Sequence, residues 1–441
     1  MAKRSFHQEL VLNHWMMGFF KGGALHALKL RLGEDRHEGI DEDGQTGFFH
    51  ELHQNLFEVD RISAHDLRRY DLNIVQHWNA ITERRNKVEG AVLNMKYFQY
   101  LSLLFTEIYL DWYFNQRQQL LNGLNEGMQA YNAGLVANNE AEHRFQPFDA
   151  DELNKLAFWN ATGSGKTLLL HVNIRQYLHY FQNGRKDAYP DKIILLTPNE
   201  GLSRQHLEEL QLSGFGFYRL FDKNRSGVFK GTIEIIDINK LGDKMGDKTV
   251  AVEAFEGNNL VLVDEGHHGT GTAAGAWMSR REALVRGGFA FEYSATFGQA
   301  VAKGLTVLKA EEDIKKKRYP LLLSKLFGKS RVKELTEEEG IEFSAAKLQL
   351  TLTGDDKRKA RTMATREIYA KSILFDYSYK FFYEDGYGKE SLILNLKDED
   401  YTQEETARQY FAACLLSFYQ QQYLWNANRD KLTDFNIEKP L

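Results

Sequence analysis

The stretch LAFWN-ATGSGKT-LLLHV, Leu156–Val172, decides how this chain is read. Leu156–Trp159 is an apolar run of strand length, and Leu168–Val172 suits the start of a buried helix. Between them lie Gly163 and Gly165, followed directly by Lys166 and Thr167. Strand, glycine turn and helix, in that order, form the local pattern of a phosphate-binding loop. Glycine lets backbone N–H groups close around phosphate oxygens where a side chain would obstruct the approach. Lys166 offers a positive charge to the β and γ phosphates, Thr167 a hydroxyl to magnesium, and the helix its N-terminus to the anion. The expectation is therefore an ATP site with Mg2+ built from Ala161, Thr162, Gly163, Ser164, Gly165, Lys166 and Thr167. The strict G-x-x-x-x-G-K-[ST] spacing is not met, because Asn160 stands at the first glycine position. A glycine turn beside a solvated lysine is the bland alternative, but it needs neither the strand before nor the helix after.

Outward from this loop, residues 152–300 keep alternating. Apolar runs (KIILLTP, TIEIIDI, LVLVDE, FAFEYSAT) are separated by amphipathic stretches such as Lys166–Phe181 and Ser203–Leu212. That alternation predicts an α/β fold, a parallel sheet with helices on both faces. Leu260–Val263 is continuously apolar, as a central parallel strand is, and it ends in Asp264 and Glu265. Two carboxylates at the C-terminal end of such a strand suit magnesium contact by Asp264 and water activation by Glu265. Alone they could be an acidic loop; together with the phosphate loop they complete a nucleotide site.

The flanks read differently. Residues 1–151 look helical; YFQYLSLLFTEIYLDWYF is apolar on all sides, as a helix central to a core is. Leucines at helical spacing follow, with Gly134 where a helix would stop. Residues 301–441 read as mostly helical, with Arg358–Glu384 and Glu404–Asn428 as long amphipathic stretches and Ser391–Leu396 as a candidate strand.

Composition sets limits. Only 5 of 441 residues are proline, and 43% are hydrophobic, which fits an ordered chain large enough for more than one core. The net charge of −5 means that any nucleic-acid affinity must come from a local basic patch. Cys414 is the single cysteine, so an intrachain disulfide and a cysteine-rich zinc site are excluded. The opening MAKRSFHQEL lacks the apolar core of a signal peptide, and Tyr97–Phe114 carries Glu107 and Asp111; a cytoplasmic protein without membrane association is expected. His50 and His53 lack the spacing of a helical zinc site, and Gly386–Lys389 follows a helix rather than a strand, so both are discounted.

ATGSGKT (Ala161–Thr167), DEGH (Asp264–His267) and SAT (Ser294–Thr296) resemble motifs I, II and III of superfamily 2 helicases, in that order. TPNEGLSRQ (Thr197–Gln205) resembles motif Ia. DEGHHG and FEYSATF are similar to the Res subunits of type III restriction enzymes and related prokaryotic defence helicases, over about 152–300. The resemblance implies a RecA-like lobe in which Lys166 and Thr167 hold phosphates and magnesium while Asp264 and Glu265 serve metal and water. It implies that His267 links the nucleotide to motif III, and that Ser294, Ala295 and Thr296 couple hydrolysis to movement. Thr197 and Arg204 would touch a nucleic-acid backbone, and Gln99 would read adenine. DNA is the implied partner, double-stranded ahead of single-stranded, with a methyltransferase or other defence subunit as a further one.

Enzymes of this kind need a second RecA-like lobe whose arginines stabilise the transferred phosphoryl group. The residues after Thr296 contain no Gly-Arg dipeptide. The second lobe is thus expected to be missing from this chain, leaving ATP binding with weak turnover. Two other readings stay open: a P-loop switch with no nucleic-acid partner, and a module in which the helical flanks recruit a partner.

Overall fold

A computed structural model describes residues 5–56, 61–140, 144–222, 230–242, 250–251, 255, 257–265, 283–297, 310–315, 352–388 and 404–434. His267, residues 316–351 and the candidate strand Ser391–Leu396 lie outside them.

The expected alternation folds into a seven-stranded, wholly parallel sheet. Its strands are β1 (Lys155–Asn160), β2 (Ile193–Thr197), β3 (Tyr218–Leu220), β4 (Ile233–Asp237), β7 (Leu260–Asp264), β8 (Phe289–Ser294) and β9 (Ile373–Tyr377). The order across the sheet is β3-β4-β2-β7-β8-β1-β9; the two-residue β5 and β6 (Leu241–Gly242, Val250–Ala251) pair separately. Alternate residues of each strand feed opposite layers. Leu195 and Leu262 enter the cluster beneath the N-terminal helices, while Leu196 and Val263 enter the cluster on the other face. Coverage on both faces is why these strands read as unbroken apolar runs. The chain has the α/β, RecA-like arrangement that the sequence predicts, with a helical N-terminal region.

That region comprises α1 (Val11–Met17), α2 (Leu25–Leu32), α3 (Gly47–Glu51), α4 (Ala64–Glu89), α5 (Tyr97–Asn115) and α6 (Arg117–Ala137). Every residue from Tyr97 to Trp112 is buried, and α5 packs on α7 (Lys166–Gln182), the helix that follows the phosphate loop. Gly134 does not end α6, which runs on to Ala137 with Leu135 buried. A glycine inside a helix costs only about 1 kcal/mol relative to alanine, less than a well-buried leucine contributes.

Two strands were not visible in the sequence pattern. β3 is three residues long, too short to show a period. The stretch Arg358–Glu384, read as one amphipathic segment, is instead a helix α9 (Gly354–Tyr369), the strand β9, and a helix α10 (Tyr379–Glu384). All five residues of Ile373–Tyr377 are buried, and their backbone completes the open side of β1. Pairing with an exposed strand edge overrides a helical pattern here. This unit runs to Gly388. A second, Lys389–Leu441, contains α11 (Glu404–Ala427) and α12 (Arg429–Asp434), with Arg429 over the Trp425 ring. No helix among the described residues is long and apolar enough to cross a membrane.

Candidate active site

The loop after β1 turns through two left-handed glycines, Gly163 at φ 89° and Gly165 at φ 85°. The Ser164 hydroxyl and amide both donate to the Ala161 carbonyl, at 2.8 and 3.2 Å, which closes the turn. The Ala161 amide donates to the Tyr377 carbonyl at 2.9 Å, so β9 anchors the loop's first residue. Helix α7 then begins at Lys166, and the amides of Leu168 and Leu169 donate to the Gly165 carbonyl at 3.0 and 3.1 Å.

Gln99 reaches this loop from α5. Its Nε2 donates to the Ser164 carbonyl at 3.1 Å, and its Oε1 accepts from the Lys96 amide at 3.0 Å. A Cβ on residue 165 would stand 2.5 Å from Gln99 Nε2, so glycine there serves the loop's support as well as phosphate approach. Both ends of the Gln99 amide are engaged with backbone in this arrangement.

Across β8 from β1, strand β7 delivers Asp264 and Glu265 to the same edge of the sheet. Lys166 and Glu265 form an ion pair. Burial pushes the Lys166 ammonium down from its ordinary range, and the Asp264 carboxylate partly opposes that. Glu265 sits at φ 52°, a left-handed conformation that costs a non-glycine residue on the order of 1–2 kcal/mol. Its amide donates to the Tyr293 carbonyl at 2.9 Å, which ties the turn to β8. Strain held by neighbouring structure at a strand end is common where side chains must be aimed.

Asp264 is buried. Its Oδ2 accepts from His206 Nε2 at 2.9 Å, while its Oδ1 has no hydrogen-bond partner among the described residues. A carboxylate oxygen withheld from water in this way is a place that a cation, or its bound water, would satisfy. The donor set of Asp264 and the Thr167 hydroxyl therefore fits Mg2+.

The three residues after Tyr293 stay close to this edge. The Ala295 carbonyl accepts from Trp159 Nε1 at 2.9 Å, and Ser294 Oγ accepts from the Thr296 amide at 3.1 Å. Thr197 is fully buried, with its hydroxyl 2.6 Å from Ser203 Oγ. Arg204, by contrast, is exposed and pairs with Glu200 at 2.9 Å on α8 (Glu200–Leu212). His206 was overlooked in the sequence. The signal was there: Ser203, His206 and Leu210 form the buried stripe of α8, and a histidine in such a stripe needs a partner.

A glycine loop at a helix N-terminus, a half-buried lysine and a strand-end Asp-Glu pair thus meet at one edge of a RecA-like sheet. Residues 116–298 match the family model described as type III restriction enzyme, res subunit. This segment is thus similar to helicase superfamily 2 domains, a class whose members generally hydrolyse ATP with magnesium and engage nucleic acid. No curated protein matches the chain.

Proposed function

We propose that this chain supplies the first motor lobe of a DExH-type helicase or translocase that acts on DNA in restriction or phage defence. The observation that carries the proposal is the meeting of Lys166, Asp264 and Glu265 at one sheet edge, although they are distant in sequence.

In this reading Gly163–Thr167 wraps the phosphates with backbone amides, and Lys166 leaves Glu265 to neutralise the γ phosphate. Asp264 and Thr167 hold Mg2+, which supplies charge neutralisation across the phosphates when bound. Freed of Lys166, Glu265 accepts a proton from the attacking water or orients it. Ser294–Thr296, bonded to β1 through Ala295 and adjoining the Glu265 turn through Tyr293, passes the change onward; His267 assists. Arg204 meets the DNA backbone from α8, with Thr197 shaping the turn behind it. Gln99 holds the loop and comes close to the adenine side. Arginines from a second lobe complete the charge stabilisation, so turnover by this chain alone is slow. The helical flanks suit recruitment of a methyltransferase or other subunit.

The test is ATP hydrolysis by the full-length protein with double-stranded DNA, single-stranded DNA and RNA. Stimulation by DNA, strongest with duplex, is expected. Stimulation by none of the three would favour a P-loop switch.

A further inference from the structure

We propose that His206 is a positioning residue for the metal: it holds Asp264 by one oxygen so that the other faces Mg2+. The inference rests on the reading of Asp264 as the magnesium carboxylate and extends it to a residue on a different helix.

Three observations carry it. His206 Nε2 lies 2.9 Å from Asp264 Oδ2, and both groups are buried. An ionised carboxylate only accepts, so Nε2 carries the proton and the imidazole fixes the carboxylate's rotation. The opposite oxygen, Oδ1, has no partner among the described residues. A histidine on one oxygen of a ligating carboxylate raises metal affinity by orienting the free oxygen before the ion arrives. The placement on α8 adds a consequence. Arg204 is exposed two residues earlier on the same helix, so one element carries an exposed cation and the clamp on Asp264.

The test is equilibrium binding of fluorescent mant-ADP to the full-length protein, measured once with Mg2+ and once with EDTA. Wild type, His206→Ala and His206→Gln are compared. His206→Ala is expected to lose about 10-fold of the affinity that Mg2+ adds, the usual scale for removing a group behind a metal ligand. Its affinity in EDTA should stay within about twofold of wild type, because the loop itself is untouched. His206→Gln keeps an N–H at similar reach and should recover most of the Mg2+ gain. Equal losses with Mg2+ and EDTA would assign His206 a merely structural role and overturn the proposal. An undiminished Mg2+ gain in His206→Ala would overturn it as well. If His206→Ala does not fold, His206→Leu at matched stability takes its place. No Mg2+ gain in wild type would instead remove the reading of Asp264 on which the inference stands.

Discussion

Two buried carboxylates, Glu107 and Asp264, make an instructive pair. Glu107, on α5, is wholly enclosed, yet its oxygens accept from Tyr180 at 2.6 Å and Gln176 at 2.8 Å. Gln176 also accepts from Asn173, and Asn173 accepts from Tyr293. Burial pushes the Glu107 carboxyl up to about 7, and the hydrogen bonds hold it back from going further. Asp264 is buried as well, but only one oxygen is satisfied, and a desolvated lysine lies in its field. Burial alone therefore does not mark a site. What distinguishes Asp264 is an acceptor left open at a strand end; Glu107 is closed on itself and joins α5 to α7.

The sharpest break of this comparison is at the sheet edge. Lys166→Ala should lower DNA-stimulated hydrolysis by at least about 100-fold, checked by phosphate release, because the phosphates lose the loop's lysine partner. A comparable rate in this variant would place the chemistry elsewhere.

Glu107→Leu should leave Tyr180 and Gln176 with buried unpaired groups and cost about 2–4 kcal/mol in urea unfolding. A loss below about 0.5 kcal/mol would mean that the network is not structural.

A smaller effect concerns pH. The folded carboxyl of Glu107 titrates above its unfolded value, so the native state binds the extra proton. Its contribution is most favourable at low pH and is lost as pH rises through about 7. Urea unfolding at pH 5 and pH 8 should show wild type losing more stability than Glu107→Gln over that interval. Parallel losses would remove Glu107 as the source.

The smallest effect belongs to Arg204, an exposed and already paired charge. Arg204→Ala should weaken DNA binding about two- to fivefold and lower the salt slope by about one, measured by fluorescence anisotropy across salt concentrations.

Legibility in the sequence followed the range of the interactions. The glycine turn between β1 and α7, the strand-end Asp264–Glu265 pair and five of the seven main strands were readable because each is specified by a short local pattern. β9 was not, since Ile373–Tyr377 becomes a strand only by meeting β1. Gln99 enters the sequence reading only through the resemblance, because its bond to the Ser164 carbonyl joins residues far apart in sequence. His206 and the closed network of Glu107 were missed for the same reason: their partners come from other helices and strands.

The most direct test of the account is single-turnover ATP hydrolysis with DNA by Glu265→Gln and Glu107→Gln, beside mant-ADP affinity for each. Glu265→Gln is expected to lose about 100-fold or more in rate while still binding nucleotide, and Glu107→Gln to keep a near-wild-type rate. Equal rates for Glu265→Gln and wild type would contradict it.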